Sequence, residues 1–249
     1  IIKPDIYSWR GISLGNAFKI SFDYKRELDS HMMKNTEWGA VAYLNHSLYG
    51  IANSIRNNNY NQYKTGYASI TAPTCGINKN NASVTCNLNG INASVTQLYN
   101  TSIGYSASTT GNITGIYDMS GGAAEMVMGV NYNLTANKDL SMMTSIYTDF
   151  FSNLEWEKYY DSYKSYTSSG QFNRRILGDA TGEMGPIGGS DDIDGITRKK
   201  NSWYKNMSYF VWTTSPWFQR GGNWAYGESA GAFAFDYTDG SAREDLTFR

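Results

Sequence analysis

The chain has 249 residues, 41% hydrophobic and 17% charged, and its 21 basic side chains nearly balance 22 acidic ones for a net charge of −1. That length buries a substantial core without splitting, the polar remainder is mostly uncharged, and the lack of a basic excess excludes nucleic acid as the expected partner, since phosphates call for a positive face. No apolar run has membrane-spanning length, so no direct membrane insertion is expected of this segment, and no Pro-rich linker or charge block divides residues 1–249, which are expected to form a single domain.

In chain order, Ile1-Ile-Lys-Pro4 opens without a leader-like segment, as expected of a mature or trimmed form of a secreted protein. From Trp9 to Tyr24, the alternation of Phe18, Ile20 and Phe22 predicts an early strand. Thr36 to Tyr49 reads as the first helix, with Asn35 or Thr36 as its cap, Trp38, Val41, Ala42 and Leu48 on one face, and Gly50 at its end. The stretch from 53 to 112 is rich in Asn, Ser, Thr and Gly, which favour turns, and is expected to be an insertion of irregular loops and short hairpins. Within it, Cys75 and Cys86 flank a hydrophilic segment too short to hold its shape by burial. We expect a disulfide there rather than two free thiols, stabilising by roughly 2.5–3 kcal/mol and pointing to an oxidising location.

Further on, Ser152-Asn-Leu-Glu155 reads as a capping box for a second helix to about Tyr166, with Leu154, Tyr159 and Tyr163 inside. Asp191, Asp192 and Asp194 before Gly195 offer hard oxygen ligands for a structural calcium ion, although the full loop spacing is missing; otherwise no metal and no cofactor is expected. The two histidines, His31 and His46, fit no metal pattern, and Ser202-Trp-Tyr-Lys205 lacks the companions of a catalytic Ser-x-x-Lys motif. Seven Asn-x-Ser/Thr triplets, at Asn45 and Asn206 among others, follow from the Asn, Ser and Thr content alone.

The C-terminal region is the most informative. Arg220-Gly-Gly222 reads as a turn that excludes a side chain, and Ala232 to Phe235 reads as a strand. Between and after these lie Trp224, Ala225, Tyr226, Glu228, Ser229, Asp236, Tyr237, Thr238, Asp239, Ser241, Arg243, Glu244, Asp245 and Leu246. Their mixture of Tyr, Ser and Asp with scattered charges is that of a recognition loop, in which aromatics supply area and small polar groups supply adaptable hydrogen bonds. A display region over 223–249 on a rigid framework is therefore expected. With twenty Tyr and seven Trp in the chain, much aromatic surface is expected to face solvent or a partner.

Gly115-Ile-Tyr-Asp-Met-Ser-Gly-Gly-Ala-Ala-Glu-Met126 resembles the G-(L/I)-Y-D-M-x-G-N-V-W-E-W signature of the formylglycine-generating enzyme (sulfatase-modifying factor) superfamily. Arg220-Gly-Gly-Asn-Trp224 and Thr247-Phe-Arg249 resemble its R-G-G-S-W…G-F-R partner. The resemblance implies an α+β, C-type-lectin-like fold with two main helices, a small antiparallel sheet and long irregular loops. Ser30 to Leu44 and Leu177-Gly-Asp-Ala-Thr-Gly-Glu183 make the chain similar to the variable proteins of diversity-generating retroelements and to related gut Firmicutes surface proteins. Relatives of this type often carry upstream pilin-like or anchoring segments, so a missing N-terminal part is expected.

That branch of the resemblance implies a non-catalytic, receptor- or adhesin-like protein at the cell surface or outside it. Its partner would be a protein or glycan on another cell or host surface, met by the display positions, with Trp224, Tyr226, Tyr237 and Arg243 as the main anchors. Diversification by a retroelement would turn Asn codons into an alphabet that most display positions match and that Glu228 and Glu244 do not. The superfamily's oxidases use C-terminal cysteines, and this chain has none there, so an oxidase is the alternative, with a pilus or phage-tail tip protein, in the latter case on a virion, as a second. Ala123-Ala124 departs from the usual Val-Trp, and the resemblance implies a structural role for Glu125.

Overall fold

The computed structural model describes residues 9–51, 77–78, 102, 105, 108–131, 140–163, 176–181, 203–211, 214–223, 226 and 229–248. In chain order these form β1 (Trp9–Arg10), α1 (Leu14–Tyr24), α2 (Asn35–Tyr43), β2 (Ile77–Asn78), β3 (Ala124–Asn131), α3 (Ser141–Thr144), β4 (Asp161–Tyr163), β5 (Trp217–Gly221), β6 (Gly231–Thr238) and β7 (Leu246–Phe248). Tight 3-10 turns cover Leu44–His46, Leu154–Tyr159 and Trp203–Lys205. The architecture is mixed α and β, with few helices and a small mixed sheet. Among the described residues no helix is long and apolar enough to cross a membrane.

The sheet is organised around β3, which is buried along its whole length. Its Ala124–Met126 half pairs parallel with β7 and its Gly129–Asn131 end pairs parallel with β4, while β5 runs antiparallel along the other edge and carries β6 beyond it. Because side chains alternate across a strand, Ala124, Met126, Met128 and Val130 enter one core with Trp217, Leu246 and the buried face of α1. Val127 enters the opposite core with Phe218, Phe233, Phe235 and Trp38 of α2. Phe18 of α1 makes edge-on contacts with Tyr147, Phe150, Trp156 and Tyr159, so much of the described aromatic content fills this first core rather than the surface.

On the α2 face sits a fully buried guanidinium. Arg220 Nη1 donates to Asn35 Oδ1 at 2.9 Å and to the Asp179 carbonyl at 3.1 Å, and its charge lies 5.8 Å from the Trp38 ring and 5.7 Å from that of Phe235. Asn35 Nδ2 in turn donates to the Tyr163 hydroxyl at 2.7 Å, and that hydroxyl donates to the Asp179 carboxylate, which also accepts from the Thr181 N–H at 2.7 Å. Burial, and then the Asp179 charge, push the Tyr163 phenol well above its ordinary range. Gly39 lets α2 close on this network: a Cβ there would stand 2.4 Å from the Gly178 carbonyl. Trp38 Nε1 donates across to the Ala232 carbonyl at 2.8 Å.

Several expectations are corrected. The segment read as a strand is α1, because Leu14, Ala17 and Phe18 are buried at helical spacing while Ile20 is exposed. The first helix ends at Tyr43 and passes into a 3-10 turn, and Leu48 is almost fully exposed rather than on the inner face. The capping signal at 152–155 is real in part, since Asn153 Oδ1 accepts from the Glu155 N–H at 3.0 Å, but it starts a 3-10 turn that stops at Tyr159. Leu154 is exposed, and Tyr163 is buried on β4 instead of on a helix. Asn45 and Asn206 are buried, which closes those two glycosylation triplets. Most of 53–112, with Cys75 and Cys86, and the 191–195 loop lie outside the described residues.

Helix α2 is capped from two sides. Asp161 accepts from the Thr36 N–H at 2.7 Å, and Glu37 Oε2 accepts from the Lys34 N–H at 2.8 Å, satisfying donors that the first turn leaves open. The other Glu37 oxygen faces His31 Nε2 at 3.1 Å, while His31 Nδ1 faces the Asp29 carbonyl at 2.6 Å. Both partners accept, so both ring nitrogens are satisfied only in the protonated ring. Burial pulls the ring's pKa down, but the hydrogen bonds to Asp29 and Glu37 outweigh it and the net shift is upward.

Two predictions follow from these contacts. Replacing Arg220 with Leu leaves buried oxygens without their donor and is expected to cost about 3–5 kcal/mol in urea unfolding; a loss below about 1 kcal/mol would show that the network does not depend on the guanidinium. A raised folded pKa at His31 means that its stabilisation is complete below about pH 6.5 and is lost as pH rises through the folded value. Urea midpoints measured across that range should therefore fall with rising pH more steeply for the native chain than for His31→Gln, and parallel slopes would refute the assignment.

Candidate binding surface

The Arg220-Gly-Gly turn ends β5 with two glycines at positive φ, 80° and 69°. At Gly222 a Cβ would stand 2.9 Å from the Ala230 backbone, so the chain reverses into β6 only without a side chain there. This brings Asn223, Tyr226 and β6 together with residues 239–245, the loop between β6 and β7.

That loop is held from behind by the start of the chain. The Leu14 N–H donates to the Gly240 carbonyl at 2.9 Å and the Gly11 N–H to the Arg243 carbonyl at 3.1 Å, while Arg10 Nη1 reaches the Glu244 carbonyl at 2.7 Å. Within the loop, Asp239 Oδ1 accepts from the Ser241 N–H at 2.9 Å and from its hydroxyl at 2.7 Å. Arg243 grips Asp245 with two parallel bonds of 2.9 and 2.7 Å, and Asn223 Nδ2 donates to the same carboxylate at 3.3 Å. The bond to Asp245 holds the Arg243 guanidinium above its usual range against the opposing effect of burial, and the charges of Asp245, Tyr226 and Asp239 add to it. These groups therefore lie within electrostatic reach of one another.

Next to them, Asp236 accepts from Gln219 Nε2 at 2.9 Å and from the Tyr226 hydroxyl at 3.5 Å, the long limit of such a bond. Gln219 and Asp236 are cross-strand partners on β5 and β6.

The expected display positions divide into three groups. Arg243 and Glu244 are exposed, and Tyr226, Asp239, Ser241 and Asp245 are half-buried around them. Ser229, Asp236, Thr238 and Leu246 are buried and form part of the framework: Thr238 lies opposite Trp217, Leu246 opposite Ala124, and the Ser229 carbonyl accepts from Met207. Tyr237 is half-buried but belongs to the other face of β6, where it lies opposite Phe218 and meets Tyr209 edge-on at 4.8 Å. It does not share a patch with Tyr226. Trp224, Ala225 and Glu228 lie outside the described residues.

Arg10, Gln219 and Asn223 were not among the expected positions. Gln219 sits between Phe218 and Arg220 on β5, and this short run carries no polar–apolar alternation that would have singled it out. Arg10 has no local signal, because its partner is 234 residues away.

Among the described residues no group of three His, Cys, Asp or Glu side chains is arranged to hold a metal ion. His46 packs among Trp203, Tyr204 and Phe233. Buried Glu125 sits on β3 in register with Arg220 and Thr247.

In comparisons with known proteins, no protein family, no curated protein and no solved structure matches the chain.

The division of β6 into two faces predicts different outcomes for its neighbouring tyrosines. Tyr237→Ala should lower the melting temperature, by about 2–4 °C for each kcal/mol of lost packing. Joint replacement of Tyr226 and Arg243 with Ala should leave it nearly unchanged, within about 1 kcal/mol. Thermal melts of the two variants check this, and the reverse order would place Tyr226 in the core.

Proposed function

We propose that the protein binds a macromolecular ligand without catalysis, through the surface made by Tyr226 and residues 239–245. The observation that carries this reading is the combination of a fixed loop with side chains that are still exposed or half-exposed. The main chain of 240–244 is tied to residues 10–14, while Arg243 and Glu244 project into solvent and Tyr226, Asp239 and Ser241 remain partly open. A loop ordered before contact loses less entropy on binding than a floppy one, and Tyr, Arg, Ser and Asp are residue types that recognition surfaces favour.

We further propose that the scaffold is C-type-lectin-like and related to the formylglycine-generating enzyme superfamily, in the manner of retroelement variable proteins. This is supported by the way the segments carrying the resemblance meet. Asn35 and Trp38 from the first, Asp179 from the second and Arg220 from the third are the residues that surround one buried guanidinium. In this reading the protein acts outside the cell or at its surface, with a protein or glycan of another cell as its partner.

A glycan and protein array tests the function directly. The native chain should capture a defined ligand, Tyr226→Ala with Arg243→Ala should weaken capture at least about tenfold, as expected for central contact residues, and Tyr237→Ala should retain it in proportion to its folded fraction. Capture that is indifferent to the Tyr226 and Arg243 changes would move the binding site elsewhere.

A further inference from the structure

The Asn-x-Ser/Thr triplets that fall among the described residues, at Asn45, Asn112 and Asn206, sit in different surroundings. Asn45 and Asn206 are buried, and Nδ2 of Asn206 donates to the Ala230 carbonyl at 3.3 Å. Asn112, Ile113 and Thr114 are all exposed.

The Asn112 amide is held by its oxygen alone. Oδ1 accepts from the Thr114 N–H at 3.0 Å, from the Thr114 hydroxyl at 2.7 Å and from the Thr110 hydroxyl at 2.9 Å. A backbone N–H only donates, so the oxygen and not the nitrogen must face it. Every hydrogen bond of this side chain among the described residues ends on Oδ1, which leaves Nδ2 to solvent. The main chain keeps the arrangement in place. The Asn112 carbonyl accepts from the Gly115 N–H at 3.2 Å and from the Tyr117 hydroxyl at 3.3 Å. Below it, the Thr109 N–H donates to the Ile116 carbonyl at 3.0 Å and the Ile116 N–H to Thr109 Oγ1 at 3.1 Å. The triplet is thus the exposed tip of a closed loop, the setting that attachment of a bulky sugar to asparagine requires.

We propose that Asn112 is the acceptor of an asparagine-linked glycan, with Thr114 as the hydroxyl that assists transfer. The donor is an oligosaccharide activated as its polyprenyl pyrophosphate. Nδ2 attacks the anomeric carbon: the C–N bond forms, the bond from that carbon to the pyrophosphate oxygen breaks, the pyrophosphate leaves with the electron pair, and Nδ2 passes one proton to a base of the transferase. An amide nitrogen is a poor nucleophile because its lone pair is delocalised into the carbonyl. Donors on Oδ1 stabilise the negative charge that gathers there as the proton leaves, and Thr114 supplies two of them. The inference shares with the binding reading only the placement outside the cell and concerns other residues.

The test incubates the folded full chain with a polyprenyl-pyrophosphate oligosaccharide and a transferase that accepts Asn-x-Ser/Thr without further sequence demands, then maps glycopeptides by mass spectrometry. Asn112 should carry the glycan while Asn45 and Asn206 stay bare. Thr114→Val, which removes the hydroxyl, should abolish transfer to Asn112, and Thr114→Ser, which keeps it, should retain transfer. Asn112→Asp preserves the oxygens that the loop uses and lacks Nδ2, so it should fold as the native chain does and take no glycan there. A bare Asn112 in the folded chain overturns the inference, whether or not the unfolded chain is modified at that position. So does transfer to Asn45 or Asn206 as readily as to Asn112, since burial would then select nothing. Protein recovered from its own cells should carry sugar on Asn112, and a bare residue there also overturns the inference. In that case an array ligand captured by the same protein and lost with Tyr226→Ala and Arg243→Ala leaves the binding reading intact. A glycan on Asn112 together with capture indifferent to those changes supports this inference and overturns the binding reading alone.

Discussion

A guanidinium removed from water is the constraint around which this protein is arranged. The charge of Arg220 tolerates burial only where oxygens and ring faces surround it, and these come from three separate stretches of chain: Asn35 and Trp38 on α2, Asp179 in the 176–181 turn, and Phe235 on β6. Meeting that demand fixes α2 over the sheet and sets β5 against both of its neighbours. Tyr163 extends the same requirement to β4, since its hydroxyl bridges Asn35 and Asp179. A helix, an edge strand and a turn distant in sequence thus answer to one side chain.

The sheet transmits this order to the surface. One face carries the Arg220 network and the α2 core, and the other carries an aromatic core built on α1, α3 and the 154–159 turn. The polar pair Gln219 and Asp236 lies on the second face, in the same cross-strand row as Met126. Residues placed there take their geometry from β5, whose opposite face carries the buried charge.

How much of this was legible in the sequence depended on whether the local pattern had one meaning. The strand at 232–235 and the glycine turn before it were readable, because alternation and a steric exclusion leave few alternatives. The segment 9–24 was not. Phe18, Ile20 and Phe22 alternate as in a strand, yet Leu14, Ala17 and Phe18 repeat as in a helix, and only the packing of Phe18 against Phe150 and Tyr159 decides between them. In the expected display region, composition gave no information on the direction of each side chain. Asp236 and Thr238 point into the interior and Tyr237 to the far side, since direction is set by strand register that residue type does not encode. Arg10 escaped notice for a related reason: a contact spanning nearly the whole chain leaves no trace in either neighbourhood.

The hydrogen bonds that seat the 239–245 loop on the chain's beginning accept at main-chain carbonyls, those of Gly240, Arg243 and Glu244. A peptide carbonyl is the same whatever side chain stands beside it. Exchange of the side chains at 243 and 244 therefore leaves these anchors in place. Side-chain identity and loop placement are thus separable at these two positions.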